Sequence, residues 1–325
     1  MPPDDSSSLD RTAVVIANPH ARDAVPPDVL EAAAGPIRAR GWHVVIEATS
    51  DHLDARLRAQ RHARAGVAVL LACGGDGSLL PILNGVRDAG ETTTAVGLIP
   101  AGTANVWAAE VGIPRDLEGA FALLETGERE RVDLGVARIG DGEPVRFLLV
   151  CGAGLDGAVV EAVERRPHWK RRLGRLAFGP SGLAALAGWP PIEARLTYDD
   201  EDAAAAAEHA PQLLLALASN TSRYGGVATL TRRGEIDDGL LEITTFEGDR
   251  SLVARLALAI DAMRGSLDER DVEGVRHRQA SRVTITPTRT LPVQVDGESL
   301  GRCGPLAPLH IAVECRVVTM ILGAK

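Results

Sequence analysis

Three glycines, Gly74, Gly75 and Gly77, surround one carboxylate, Asp76, and the hydroxyl of Ser78 follows at once. Glycines at that density let the main chain turn tightly and bring its N–H groups up to an anion, and a helix starting there adds the positive end of its dipole. The guest that suits such a turn is a phosphate. Asp76 would repel one, so the turn implies a metal ion, an ordered water or a proton beside it. The plainer reading is a strand-to-helix turn whose aspartate only caps the helix. Asn18-Pro19, Thr49 and the loop Pro100-Ala-Gly-Thr103-Ala-Asn105 offer further amide and hydroxyl groups. Glu235-Ile-Asp237-Asp238-Gly239-Leu240 gathers carboxylates next to a backbone carbonyl, the hard oxygen donors that Mg²⁺ takes. Alone it is an acidic hairpin turn, and Asp296-Gly297-Glu298 alone is an ordinary Asp-Gly turn.

The elements that must hold these groups follow from hydrophobic patterning. Val67 to Cys73 is a continuous apolar run, as expected of a parallel strand buried on both faces. Gly74 to Gly77 then turns the chain, and Ser78 is placed to cap a helix through Leu79, Leu80 and Leu83. Thr12–Ala17, Trp42–Ala48 and Ala95–Ile99 read as companion strands. Helices are expected over about Asp28–Arg40, from a Thr49 or Ser50 cap through Gln60, and from Pro114 to about Glu125. Strands alternating with helices predict a doubly wound parallel sheet, whose ligands bind at the carboxyl ends of the strands. Asn18, Thr49, the glycine turn and the Thr103 loop all fall at that edge.

From Val132 the texture changes. Val132–Ile139, Val145–Cys151, Ala194–Tyr198, Gln212–Ala218, Leu240–Phe246, Arg282–Ile285 and Leu291–Val295 read as strands of a mainly antiparallel β domain. Asp199–Ala210 reads as an exposed loop and Leu252–Arg264 as an outer helix. His310–Leu322 reads as two closing strands parted by Cys315-Arg316. The domain boundaries implied are a disordered tail over 1–11, an α/β domain over 12–130, a β-rich domain over 131–315, and a closing strand over 316–325, whose return to the first domain the sequence leaves open.

Composition removes several classes. The 325 residues carry a net charge of −9, which argues against a nucleic-acid binder. The four cysteines lack any Cys-x-x-Cys pair, as in a reducing compartment. The N-terminus lacks the apolar core of a signal peptide, and no apolar run reaches a membrane span, so a cytoplasmic protein is expected. Lysine occurs only at Lys170 and Lys325, so neither a Walker loop nor a protein-kinase strand lysine is available. Phosphate charge must then be met by main-chain amides, arginines and a metal. None of the eight histidines stands in a His-Glu-x-x-His arrangement, which removes the common metalloprotease motif. Gly152-Ala-Gly154-Leu-Asp156-Gly157 matches the dinucleotide fingerprint literally. The region about twenty residues on is basic, so a tight turn lining a site is the better reading. Arg165–Phe178 interleaves Arg165, Arg166, Lys170, Arg171, Arg172 and Arg175 with Trp169, Leu173, Leu176 and Phe178. Such a segment suits an anionic membrane surface; a core-facing helix with solvated arginines is the competing reading.

Taken in order, Asn18-Pro19, Gly74-Gly-Asp-Gly-Ser78, Pro100-Ala-Gly-Thr103-Ala-Asn105, Asp238-Gly-Leu240 and Asp296-Gly-Glu298 resemble the diacylglycerol kinase catalytic-domain family. The nearest branch is that of the bacterial soluble lipid kinases of the YegS and diacylglycerol kinase type. The resemblance runs from about Thr12 to the end of the chain. It implies an α/β domain followed by a β-rich domain, with the active site in the cleft. ATP would lie over Gly74 to Leu80, helped by Asn18, Thr49, Thr103 and Asn105. Mg²⁺ would be held by Asp238, with Glu235 and the Leu240 carbonyl beside it. Glu298 matches the family's proton acceptor, and Asp296 and Asp76 are rivals for that role. The chain departs from the pattern at Ser78, where Thr is usual, at Val106, where many relatives carry Asp, and at His20-Ala-Arg22. The expected reaction is transfer of the ATP γ-phosphoryl group to a lipid hydroxyl, diacylglycerol first, with transient contact at the inner membrane face and room for a homodimer. The competitors are a kinase of a soluble acceptor such as NAD, and a lipid- or nucleotide-binding protein without turnover.

Overall fold

Apolar six-residue runs between amphipathic helices build the first part of the molecule. The computed structural model describes residues 9–19, 24–165, 188–199, 211–224, 228–229, 234–248, 251, 254–255 and 272–323. Two compact units result: residues 1–132 with 316–325, and residues 133–315.

In the first unit, β1 (Thr12–Ala17), α1 (Pro27–Ala33), α2 (Gly35–Arg38), β2 (His43–Ala48), α3 (His52–Arg64), β3 (Val69–Gly74), α4 (Asp76–Asp88), β4 (Ala95–Pro100), α5 (Val106–Glu110) and α6 (Leu117–Thr126) follow in turn. The strands form a parallel sheet in the order β2-β1-β3-β4, with Val14 set between Val45 and Leu70. Every residue of β3 and β4 is buried, as central strands covered on both faces must be. The helix expected over 28–40 breaks into α1 and α2 around Ala34, because Pro36 has no N–H to continue the ladder. The cap of α3 is Asp51 and neither Thr49 nor Ser50. The Asp51 carboxylate accepts the Asp54 N–H at 2.9 Å, and the Asp54 carboxylate accepts the Ser50 N–H at 3.0 Å, a reciprocal arrangement that outcompetes a lone hydroxyl. Likewise α4 begins at Asp76 with Gly75 as its N-cap, so Ser78 lies inside the first turn. Residues 9–11 are tied down: the Leu9 carbonyl accepts the Ala68 N–H, and Arg11 pairs with Glu125.

The second unit is a two-layer antiparallel sandwich. β5 (Glu128–Ile139) leads into it and pairs with β6 (Val145–Phe147). Then come β7 (Val150–Gly154), α7 (Leu155–Glu164), β8 (Ile192–Tyr198), β9 (Gln212–Ser219), the short pair β10 (Arg223–Tyr224) and β11 (Ala228–Thr229), and β12 (Leu241–Glu247). β13 (Val275–Ala280), β14 (Arg282–Pro287), β15 (Leu291–Val295), β16 (Glu298–Cys303) and β17 (Leu309–Leu322) complete it. One layer runs β16-β15-β7-β9-β12-β13, and the other contains β8, β14 and the start of β17. Between them lie Phe147, Cys151, Leu196, Ile243, Val283 and Val293. Burial pushes the Cys73 thiol to about 12 and the Cys303 thiol to about 11, so both are inert at neutral pH.

The structure also corrects the expected strands. The run 145–151 is two strands with a break at Leu148-Leu149, β10, β11, β13 and β16 lie outside the expected set, and 309–322 is one strand. Arg316 takes φ +49° inside β17, and Arg131 donates to its carbonyl at 2.7 Å, so the strand bends there without ending. The glycine-rich stretch 152–157, expected as a tight turn lining a site, is the end of β7 and the start of α7. Residues 1–8 of the expected tail, His20-Ala-Arg22, Arg166–Phe178, residues 200–210 and nearly all of Leu252–Arg264 lie outside the described residues. Among the described residues, no helix is long and apolar enough to cross a membrane.

Candidate active site

In the first unit the glycine turn and the Thr103 loop pack against each other. The Ala101 N–H donates to the Gly74 carbonyl at 2.8 Å, and a Cβ on Gly102 would meet the Gly75 Cα at 2.5 Å. A side chain at Gly102 would force the loops apart, whereas a Cβ on Gly75 would meet the Gly102 Cα at 3.3 Å and need only a small shift. Asn105 stands at φ +48° and closes its own loop: Oδ1 accepts the Gly102 N–H at 3.1 Å and Nδ2 donates to the Gly102 carbonyl at 2.7 Å. Asp76 accepts the Val106 and Trp107 N–H groups, each at 3.0 Å, one per carboxylate oxygen. It therefore caps α5, and the first two amides of that short helix are spent. The amides of α4's own first turn, from Asp76 and Gly77, have no intrahelical acceptor by construction and are the groups this unit offers to an anion.

The other residues expected around the phosphates divide. Asn18 donates from Nδ2 to the Ser78 hydroxyl at 3.4 Å, tying the end of β1 to the first turn of α4. Thr103 is exposed at the loop tip. Thr49 is buried, and its hydroxyl donates to the Ala17 carbonyl at 3.2 Å, so it braces the sheet edge. Val106, where an acid was usual, is buried and receives its contact from Asp76 through the backbone.

In the second unit Asp296 is a pin. It stands at φ +47°, and its carboxylate accepts the N–H groups of Leu148, Leu149 and Val150 at 2.7, 2.9 and 2.9 Å. Two of these donors occupy the break between β6 and β7 and the third opens β7, and they would be orphaned without it. Glu298, two residues on at the start of β16, is exposed, and among the described residues its carboxylate has no hydrogen-bond or ion-pair partner. Of the three acids weighed as proton acceptor, Glu298 is the one whose oxygens no amide holds.

The acidic turn 235–240 is organised by a residue that sequence reading missed. Asp133, fully buried on β5, accepts the Gly239 N–H at 2.7 Å, while its own N–H donates to the Ile236 carbonyl at 2.7 Å. Asp238 accepts the Leu240 N–H at 2.9 Å. Burial, then the nearby carboxylates of Asp133, Glu235 and Asp237, hold the Asp238 carboxyl above its ordinary range, against the opposing hydrogen bond from Leu240. Crowded acids with a raised carboxyl and an adjacent carbonyl have the donor chemistry of a hard-cation site. Among the described residues no three His, Cys, Asp or Glu side chains converge as a metal cage. The turn offers carboxylate and carbonyl oxygens, the donor type that an ion such as Mg²⁺ takes while keeping most of its water. Asn220 was missed as well. It is fully buried, and its Nδ2 donates to the carbonyls of Asp133 and Leu148 at 3.0 and 3.1 Å, linking the acidic turn to the segment that Asp296 grips. A charge inside the apolar run Val132-Asp-Leu and an Asn ending an apolar strand were the available signals.

Comparison with known proteins agrees with both halves. Residues 12–137 match the diacylglycerol kinase catalytic domain, and residues 150–322 match the YegS C-terminal NAD kinase beta sandwich-like domain. A probable lipid kinase YegS-like of Chromohalobacter salexigens is 31% identical over 84% of this chain and 82% of that protein. A diacylglycerol kinase of Mycobacterium tuberculosis is 29% identical over 83% and 81%. Among solved structures, a putative diacylglycerol kinase from Bacillus anthracis shares the fold at a TM-score of 0.74 and 21% identity, covering 97% of both chains. The chain belongs to the diacylglycerol kinase catalytic-domain family, in its bacterial YegS-like branch of lipid kinases.

Proposed function

We propose that the protein transfers the γ-phosphoryl group of ATP to a hydroxyl of a lipid, diacylglycerol first among the candidates. The observation that carries the reading is the division of labour among the three site acids. Asp76 and Asp296 are occupied by backbone amides, and Glu298, without a partner among the described residues, keeps both oxygens for a substrate hydroxyl. Phosphoryl transfer of this kind depends on positioning and charge neutralisation more than on covalent chemistry. The first-turn amides of α4 receive phosphate oxygens, and the interlocked Gly75 and Gly102 keep side chains out of that surface. Glu298 accepts the hydroxyl proton as the oxygen attacks phosphorus, and ADP leaves. Mg²⁺, when bound, would be held by Asp238 and the Leu240 carbonyl with Glu235 close by, and would supply charge neutralisation that the near absence of lysine leaves open. Relatives named lipid kinase and diacylglycerol kinase support the acceptor class.

The test is to incubate the protein with Mg-ATP and a total bacterial lipid extract and to identify new species by mass. A phosphorylated glycerolipid is expected. Phosphorylation of NAD or another soluble acceptor alone would replace the lipid with a soluble substrate. ATP binding without transfer to any acceptor would make this a binding protein.

A further inference from the structure

The glycine-rich stretch Gly152-Ala-Gly154-Leu-Asp156-Gly157 has no direct part in the proposed reaction, yet it meets the hairpin that carries Glu298. Asp156 is in the first turn of α7 and is buried, with 8% of its surface exposed. Its Oδ2 accepts a hydrogen bond from Nε2 of Gln294, a residue only 2% exposed on β15. At the other end of the same carboxamide, the Gln294 Oε1 accepts the Gly297 N–H at 2.8 Å. Gly297 immediately precedes Glu298.

The spacing of the glycines now has a physical cause. A Cβ on Gly152, which pairs with Gln294 across the sheet, would collide with both Asp156 Oδ2 and Gln294 Nε2. A Cβ on Gly157 would collide with the Pro292 carbonyl, so this glycine lets α7 lie against β15. The stretch makes room for a carboxylate to reach across the strand. The rest of α7 stitches the same hairpin: Glu164 accepts the Ser299 N–H at 3.0 Å, and Glu161 holds Arg302 through two hydrogen bonds at 3.0 and 2.7 Å. Among the described residues, these clamps leave the Glu298 carboxylate untouched.

We infer that Asp156 and Gln294 are positioning residues for Glu298: a buried carboxylate–carboxamide relay that fixes the Gly297 amide and so the place from which Glu298 works. The inference rests on the reading of Glu298 as proton acceptor. Buried polar pairs of this kind matter through orientation, because a displacement of about 1 Å at a reacting group can cost on the order of 100-fold in rate. Gln294→Leu removes both ends of the relay. Gln294→Glu keeps the acceptor for Gly297 but sets two carboxylates face to face, and adding Asp156→Asn restores a donor between them.

The experiment measures lipid kinase turnover, thermal unfolding and amide hydrogen exchange at Gly297 on the full chain. Gln294→Leu and Gln294→Glu are expected to lower kcat about 10- to 100-fold with KM for ATP and lipid unchanged, and to speed exchange at Gly297. Gln294→Glu combined with Asp156→Asn is expected to return within a few-fold of wild type. In a Glu298→Gln background, Gln294→Leu should cost no further activity, since the relay acts through Glu298. Unchanged kcat in folded Gln294 variants, an equal loss in the Glu298→Gln background, or no rescue by the paired substitution would overturn the inference. Should Gln294→Leu fail to fold, the Gln294→Glu and Asp156→Asn pair decides alone. Full activity of Glu298→Gln would instead overturn the proton-acceptor reading, while altered exchange at Gly297 would still report the relay.

Discussion

The turn Gly74–Ser78 in the first unit and the turn Asp296–Glu298 in the second both place an aspartate next to a glycine, and each aspartate points at main-chain N–H groups. Asp76 holds two, from Val106 and Trp107. Asp296 holds three, from Leu148, Leu149 and Val150. Neither oxygen pair is idle, so both acids first of all hold together loops that have no ladder of their own. What differs is the neighbour. The second turn adds Glu298, whose carboxylate faces solvent without a partner among the described residues, and the first turn adds amides at a helix start. On the proposed reading, one unit receives negative charge and the other receives a proton.

Substituting the pins is the most forceful way to break this comparison. Asp296→Ala strands three amides of the buried residues Leu148, Leu149 and Val150. At about 1–3 kcal/mol for each unsatisfied donor, the loss is expected to exceed about 3 kcal/mol. A denaturant titration should show it as a lowered midpoint, and an unchanged midpoint would mean that the turn is held by something else. Asp76→Ala strands two amides at a helix start, where lost caps cost about 0.5–2 kcal/mol. Its midpoint should therefore fall less than that of Asp296→Ala, and ATP affinity should fall with it as the Gly102 loop loosens. The reverse order of the two midpoints would refute the ranking of the pins by the number of amides each one holds. Asn105→Ala is expected to cost about 1–2 kcal/mol, because the left-handed residue keeps its strained Cβ and loses the side-chain bonds to Gly102 that offset the strain; Asn105→Gly, free of that strain, should recover most of the loss in the same titration.

The smallest effect expected concerns Asp238, whose carboxyl is held above its ordinary range by burial and by neighbouring carboxylates. A carboxyl with a raised folded pKa keeps its proton in the native state longer than in the unfolded chain. Stability therefore declines as pH rises from the usual carboxylate range through the folded value. Asp238→Asn should accordingly melt slightly higher than wild type at neutral pH in chelator-treated buffer. The two curves should merge as pH drops below the ordinary Asp range, and a variant that melts lower at neutral pH would contradict the crowding.

Much of the fold was legible in the residues. Val67–Cys73 and Ala95–Ile99 are apolar throughout, and only a central parallel strand uses such runs next to glycine loops. The roles of Asp76 and Asp296 were not legible, because their partners are main-chain amides brought close by tertiary structure, and amides have no letter in a sequence. β16 was missed because Glu298-Ser-Leu-Gly-Arg lacks an alternating apolar face; its pairing with β15 supplies what its composition does not. Ser78 lost the helix cap to Gly75, three residues earlier, and Asp76 meets the positive end of α4. The Gln294 relay was out of reach for a similar reason, since Gln294 sits at a core position of a strand where only the fold reveals a partner.

Glu298 is the residue on which the proposed chemistry depends, and one assay addresses it directly. Wild type and Glu298→Gln are incubated with Mg-ATP labelled at the γ-phosphate and with vesicles of phosphatidylglycerol containing diacylglycerol, and label is counted in the organic phase. Wild type is expected to transfer label, and Glu298→Gln to transfer about 10²- to 10⁴-fold less, the usual contribution of a positioned base, at an unchanged melting temperature. Equal label from the two proteins would contradict a proton-accepting role for Glu298.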